Sequence, residues 1–341
     1  MQSGGGGRGG GRGRRRVNAT IGVALALALT VQSIRLLRAG TVQQGGNPFR
    51  GRRLWVNPDN PARQQATDWQ RSRAADATVM RQMAAQPEAI WLGDWNRDIR
   101  GDVDNFLSRA GGTLPIFVAY NIPYRDCGLY SRGGSGDADA YRRWVIDLAR
   151  GIRNRPSVVI LEPDAVAAAD CLPVRLREER FVLLREATDV LKKAGATVYI
   201  DAGHAAWKPV SDVADRLKKS GIELADGFAL NVSNFQPTSA SVTYGNSLSR
   251  LVNGKHYVID TSRNGRGVSG SANWCNPPGQ ALGPLPSVNT GSPLADAYLW
   301  VKIPGQSDGT CNGGPRAGQW WPDYALALGR SAETLAGVAA R

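Results

Sequence analysis

The sequence predicts an α/β fold, a closed or nearly closed (β/α) barrel of parallel strands in a single domain. Three observations carry this. Short apolar or β-branched runs recur along the chain, segments with helical spacing lie between most of them, and no Pro/Thr/Ser-rich linker divides the chain after about residue 50. Strand alternating with helix argues for a parallel sheet, and this many units in one domain argues for a barrel. A length of 341 residues with 42% hydrophobic content can bury a substantial core, which excludes global disorder.

Taken in order, the chain opens with Gly and Arg over residues 4–16 and an uncharged apolar run over residues 20–31. That is the layout of a secretory signal. Gln32 and Arg35 end the run, leaving it short of the roughly 20 apolar residues a membrane span needs. Residues 1–40 therefore read as a basic leader cleaved between Ser33 and Gly40, with a retained signal anchor as the alternative. Residues 41–52 read as a spacer and 53–341 as the domain. Its expected strands are Leu54–Val56, Ala89–Leu92, Ile116–Tyr120, Val158–Leu161, Val198–Ile200, Gly227–Leu230, Tyr257–Ile259 and Ala297–Val301. Helical spacing covers 61–85, 98–110, 137–153, 176–194, 209–219 and 239–252.

The formal charge of +13 suggests nucleic acid until it is located. Residues 1–40 hold seven of the 42 basic side chains and none of the 29 acidic ones, and no dense Lys/Arg run follows residue 53. Nucleic-acid binding is therefore not expected. The four cysteines, Cys127, Cys171, Cys275 and Cys311, form no Cys-x-x-Cys pair, and an even count in an exported chain reads as two disulfides. Of three pairings, neighbours along the chain are preferred, each closing a loop of about 35 to 45 residues. His204 and His256 are the only histidines, and their spacing to the cysteines does not suit zinc.

Polar residues follow nearly every expected strand: Asn121 and Asp126, Glu162 and Asp164, Asp201 and His204, Asn231 and Asn234, Asp260 and Arg263, Lys302 and Asp308. In a β/α barrel the carboxyl ends of the strands converge on one face, so these side chains should surround one cleft. A single Asp after a strand is commonly a turn or helix-cap residue. A ring of Asp126, Asp164, Asp201 and Asp308 near Trp207 and Trp274 is harder to read that way. Carboxylates with aromatics, and no glycine-rich phosphate cradle or histidine cluster, suit hydrolysis of a neutral sugar polymer.

Five ordered blocks then become specific: Tyr120 to Ser131 (YNIPYRDCGLYS), Ile160 to Ala165 (ILEPDA), Tyr199 to Trp207 (YIDAGHAAW), Trp274 to Gly279 (WCNPPG) and Trp300 to Gly309 (WVKIPGQSDG). In order they resemble the signature blocks of glycoside hydrolase family 6, the inverting cellulases, over about residues 53 to 330. The resemblance implies a distorted (β/α) barrel, cleavage of β-1,4-glucan with inversion, no metal and no organic cofactor, and it supports the disulfide pairing above. It assigns Asp164 as general acid, Asp126 as the carboxylate that raises the acid's pKa and helps place the water, and Asp308 as candidate base, acting directly or through a water chain. Asp201 matches a supporting aspartate, and Tyr120 the tyrosine that presses on the sugar at the cleavage subsite. Trp91, Trp207 and Trp274 match sugar-stacking positions; His204, Asn234 and Lys302 match hydroxyl-binding ones. Glu162 carries a structural reading, holding the strand end, and Trp55, Trp95, Trp320 and Trp321 are expected in core or surface packing.

Two departures stand out. Gln306 occupies a position commonly Glu in the family, where the amide still donates or accepts a hydrogen bond. The serine that helps hold the catalytic water falls on Ser131 or, in the other registration, Arg132. A domain of about 290 residues leaves little length for the two loops that roof a cellobiohydrolase tunnel, so an endoglucanase is expected, with cellobiohydrolase as the alternative. A glycan-binding protein without turnover is the reading from another class; it would be favoured by loss of Asp164 or Asp308, and both are present. The expected partner is β-1,4-glucan, bound by a secreted monomer with no stable membrane partner.

Overall fold

A computed structural model describes residues 46–268 and 274–336; the leader and residues 41–45 of the spacer lie outside the described residues. Seven parallel strands pair strictly in sequence order: β1 (Ile90–Leu92), β2 (Ile116–Ala119), β3 (Val158–Leu161), β4 (Thr197–Asp201), β5 (Gly227–Leu230), β6 (His256–Asp260) and β7 (Ala295–Leu299). The helices are α1 (Pro61–Trp69), α2 (Ala74–Ala84), α3 (Ile99–Ala110), α4 (Ala138–Ile152), α5 (Val174–Lys193), α6 (Val210–Lys219), α7 (Thr238–Leu251), α8 (Pro322–Arg330) and α9 (Glu333–Ala336). In the central strands both faces are buried, so they read as continuous apolar runs. Within β3, Val158 and Ile160 point into the curl of the sheet with Val118, Tyr199 and Val258, while Val159 and Leu161 face the helices with Phe117, Leu148 and Leu184. Each fully buried Val, Leu or Ile contributes about 1.5–3 kcal/mol by leaving water.

Helix formation follows local signals. In α4 the Asp137 side chain caps the Ala140 N–H, and Tyr141, Val145, Leu148 and Ile152 form the buried stripe. In α3 Asp98 caps the Gly101 N–H, Ile99, Val103 and Leu107 are buried, and Gly111 ends the helix in the left-handed region at φ 55°.

The sheet is curled without full closure. No ladder joins β1 to β7; a single parallel bridge pairs Glu88 with Trp300, and the Trp91 Nε1–H donates to the Val301 carbonyl at 2.9 Å. A third cluster covers this seam, where Met80 and Met83 of α2 and Leu326 and Leu328 of α8 pack on Trp300. The expected strand at Leu54–Val56 is reduced to one bridge from Leu54 to Leu114, since Asn57-Pro58-Asp59 turns the chain immediately afterwards. The single helical segment expected over 61–85 is two helices, because a turn after α1 lets Ala62 and Ala66 reach the same cluster as Met80 and Met83. The last strand begins two residues earlier than expected, and α8 was not expected: its Ala/Leu run has Pro322 at the first turn but little polar punctuation.

Candidate active site

The carboxyl ends of the strands bring together a cleft of about 250 Å³ whose walls include Trp91, Tyr120, Asp126, Asp164, Lys302 and Asp308. Ser131, His204, Trp207, Asn234 and Trp274 line it as well. Asp201 does not reach the cleft; Gln306 faces an adjoining hollow.

The Asp164 side of the cleft is built from β2, β3 and β4. Glu162 lies fully buried at the end of β3, and its carboxyl accepts the Asn121 N–H at 2.9–3.0 Å and the Ile122 N–H at 3.0 Å. Burial pushes Glu162 up to about 7, against those backbone donors. It therefore ties the chain leaving β2 to the end of β3. Two residues on, Asp164 adopts the left-handed backbone at φ 71°, and its N–H donates to Asp201 Oδ2 at 2.8 Å. Asp201 also accepts the Gly203 N–H at 3.1 Å, so it seats the turn that presents Asp164 from below. Asp164 reaches the cleft, and its carboxyl is held well above the usual range by its low-polarity surroundings, then by the negative charges of Asp201 and Asp126. Burial likewise lifts Asp201 to about 7.

Asp126 rides on the loop after β2. Asp126 and Cys127 both have φ above 50°, and the Cys127–Cys171 disulfide anchors the loop to the segment before α5. Arg125 supports it from within, donating from Nη1 to the Tyr120 carbonyl at 2.8 Å and to Asp94 at 3.0 Å, and from Nε to the Ser131 carbonyl at 2.8 Å. Arg180 of α5 donates to the carbonyls of Pro123 and Tyr124. Asp126 Oδ2 accepts the Ser131 N–H at 2.6 Å, placing Ser131 on the cleft; Arg132 lies outside it, on the adjoining hollow. Burial raises the Asp126 carboxyl, with the Ser131 N–H and Arg125 opposing. Tyr120 packs edge-on to Trp91 at 5.2 Å, and burial with the Asp164 and Asp126 charges keeps its hydroxyl protonated.

The opposite side is cationic. Asp308 Oδ2 accepts from Arg263 Nη1 at 2.9 Å and from the Asn276 N–H at 3.0 Å, and Lys302 Nζ lies 3.4 Å from Oδ1. Burial would raise Asp308, but Arg263 and Lys302 together outweigh it and hold the carboxyl below its usual range. Asn276 is delivered by the loop that the Cys275–Cys311 disulfide closes, and its Oδ1 accepts the Asp308 N–H at 2.8 Å. Asp260, at the end of β6, accepts backbone N–H groups from Ser233, Ser262, Val301 and Lys302, and so binds the ends of β5, β6 and β7 together. His204 stacks on Trp207 at 5.3 Å, and burial lowers it to about 4, leaving a neutral ring. No group of three or more His, Cys, Asp or Glu among the described residues could hold a metal ion.

The sequence reading named Arg263 and Asp260 as strand-end polar residues without a role and did not single out Asn276, Arg125 or Arg180. The signal for Arg263 was its place three residues after an apolar strand; for the others only spatial proximity identifies them. Of the tryptophans expected in packing, Trp55 is buried and Trp321 stacks on Tyr324, whereas Trp95 faces the adjoining hollow.

Residues 49–332 match the family described as Glycosyl hydrolases family 6. Endoglucanase A of Cellulomonas fimi is 47% identical over 279 residues, covering 80% of this chain and 60% of that protein. Endoglucanase A of Thermobispora bispora is 39% identical over 306 residues, covering 86% and 64%. The chain thus spans less than two thirds of these relatives' own length. Among solved structures, the endoglucanase Cel6 from Mycobacterium tuberculosis, in complex with methyl-cellobiosyl-4-deoxy-4-thio-β-D-cellobioside, superposes with a TM-score of 0.79 at 41% identity, covering 84% of this chain and 99% of that one.

Proposed function

The chain belongs to glycosyl hydrolases family 6, and from that membership we propose that it is an endo-acting β-1,4-glucan hydrolase that inverts the anomeric centre. The observation that carries the chemistry is a pair of carboxyls in one cleft with opposed surroundings: burial and the Asp201 and Asp126 charges push Asp164 toward its protonated form, while Arg263 and Lys302 push Asp308 toward its ionised form. Environments that push two carboxyl pKa values apart assign acid and base roles.

In this reading Asp164 gives its proton to the departing glycosidic oxygen as the C–O bond breaks. A water attacks the anomeric carbon from the other face, and its proton leaves toward the Asp308 side; solvent then reprotonates Asp164. The cations that keep Asp308 ionised also make it a weak proton acceptor, which favours delivery through water over direct abstraction. Asp126 supplies negative charge that keeps Asp164 protonated, and Ser131 helps position the water. Tyr120 presses on the ring undergoing cleavage. Trp91, Trp207 and Trp274 offer ring faces to the sugars, and His204, Asn234 and Lys302 offer hydrogen bonds to hydroxyls.

The endo mode is supported by the names of the relatives that match at 39–47% identity. Export is supported by two disulfides, which persist in oxidising compartments. No helix among the described residues is long and apolar enough to cross a membrane. We take the enzyme to act as a monomer. Reducing-sugar release from carboxymethylcellulose tests the activity, and proton NMR within minutes of mixing with cellohexaose tests inversion. The first product is expected as the α-anomer; an initial β-anomer overturns the mechanism.

A further inference from the structure

Arg180 stands where the buried stripe of α5 calls for an apolar residue: Phe181, Leu184, Ala187 and Leu191 on the same side of the helix are all buried. Arg180 is itself only 3% exposed, although arginine is almost never buried unless paired. Its Nη2 donates to backbone carbonyls and not to a carboxylate, to Pro123 at 3.0 Å and to Tyr124 at 2.9 Å, while its Nε has no hydrogen-bond partner. The negative charges of Glu162 and Asp164 offset part of its desolvation. A well-packed apolar side chain of similar volume commonly serves stability as well as such a buried cation or better. The arginine is therefore explained by what it holds.

What it holds is the loop that carries Asp126. Tyr124, Asp126 and Cys127 all lie in the left-handed region, at φ 58°, 55° and 51°, and none is glycine. Such conformations persist only where the surroundings over-determine them, and they cluster at functional sites. Here the surroundings pin the segment residue by residue. Glu162 accepts the Asn121 and Ile122 N–H groups, Arg180 takes the Pro123 and Tyr124 carbonyls, and the Cys127–Cys171 disulfide ties down the far side of Asp126. Arg180 and the disulfide thus grip the loop on both sides of Asp126, against the start of α5. With the disulfide alone, the segment is free to pivot about Cys127, and Ser131 moves with it through the 2.6 Å bond from its N–H to Asp126 Oδ2.

We propose that Arg180 is a positioning residue for the reaction: acting from an outer helix through the Pro123 and Tyr124 carbonyls, it sets where Asp126 and Ser131 stand in the cleft, and with them the attacking water. The proposal rests on the role of Asp126 proposed above. Its test is a double-variant cycle on an aryl β-cellotrioside whose leaving group is 2,4-dinitrophenolate. That leaving group needs no proton, so a change of charge near Asp164 does not enter the rate, whereas placement of the water does. R180M lowers kcat about ten- to a hundredfold, the scale of a misplacement approaching about 1 Å, with KM within about twofold of wild type. R180K, which keeps the cation on a side chain too short to hold both carbonyls, loses about threefold in kcat. In a D126A background R180M costs less than about twofold, because the carboxylate it would misplace is gone. A folded R180M protein with kcat within twofold of wild type, a loss confined to KM, or the same fold-loss in the D126A background overturns the proposal and leaves Arg180 a merely structural role. If R180M does not fold, R180K and its combination with D126A decide by the same criteria. A D126A protein as active as wild type instead refutes the role of Asp126 in the proposed function, and the positioning with it.

Discussion

Arg263→Leu is the perturbation that most directly probes how the cleft keeps Asp308 ionised. Arg263 has no exposed surface; it donates to Asp308 at 2.9 Å and to the Ser233 carbonyl at 2.6 Å and lies 4.3 Å from the Phe235 ring centroid. Removing one partner of a buried ion pair costs about 3–5 kcal/mol, chiefly because the other charge stays buried and uncompensated. Lys302 remains 3.4 Å from Asp308 and the Asn276 N–H still donates at 3.0 Å, so the lower end, about 3 kcal/mol, is expected. At roughly 2–4 °C per kcal/mol for a domain near this size, Tm should fall by about 6–12 °C. The pH dependence has a definite sign. Asp308 is held below its unfolded value, so the pair's contribution is complete above an unfolded carboxylate pKa of about 4 and is lost as pH falls through the lower folded value. The stability gap between variant and wild type should therefore narrow as the pH falls below about 4. Urea unfolding across this pH range measures it. Adding Asp308→Asn should recover at least about 1 kcal/mol, since the orphaned charge is gone. A single variant within 1 kcal/mol of wild type at neutral pH, or a double variant no more stable than the single, refutes this account of the site.

Asp164→Ala should abolish cleavage of cello-oligosaccharides, a loss of about 10² to 10⁴ from removal of the acid, while substrates with a very acidic leaving group lose much less; equal losses on both rule Asp164 out as proton donor. Asp126→Asn removes a negative charge that helps keep Asp164 protonated, so the acid ionises earlier and the alkaline limb of the kcat/KM profile moves to lower pH; a shift upward contradicts the assigned role. The folded protein should present no free thiol, and loss of either disulfide, with sequence separations of 44 and 36, should destabilise it by about 4 kcal/mol in the chain-entropy model. Thiol titration and chemical unfolding of Cys→Ser pairs check both parts.

Properties written in local patterns are legible before any fold is known. Ile116–Ala119 and Val158–Leu161 read as strands because both of their faces are buried, which makes the run apolar whatever its neighbours are. The strand-end aspartates were legible for a related reason: once strand and helix alternate, topology alone sends their side chains to one rim. The run at Leu54 resembled a strand equally well, and only the absence of a ladder partner demoted it. Tertiary structure alone decided what each carboxyl does. Asp164 and Asp308 are the same residue type at comparable places after strands, yet one is raised by burial and then by Asp201, 37 residues away in sequence, and by Asp126, while the other is lowered against its burial by Arg263, 45 residues away, and by Lys302. Charge interactions and desolvation act through space and depend on which segments the fold brings within a few ångströms. The same holds for Trp95: the sequence shows a tryptophan two residues after a glycine, and only the packed chain sets its ring on that glycine and beside Arg125, at the edge of a hollow that no local pattern encodes.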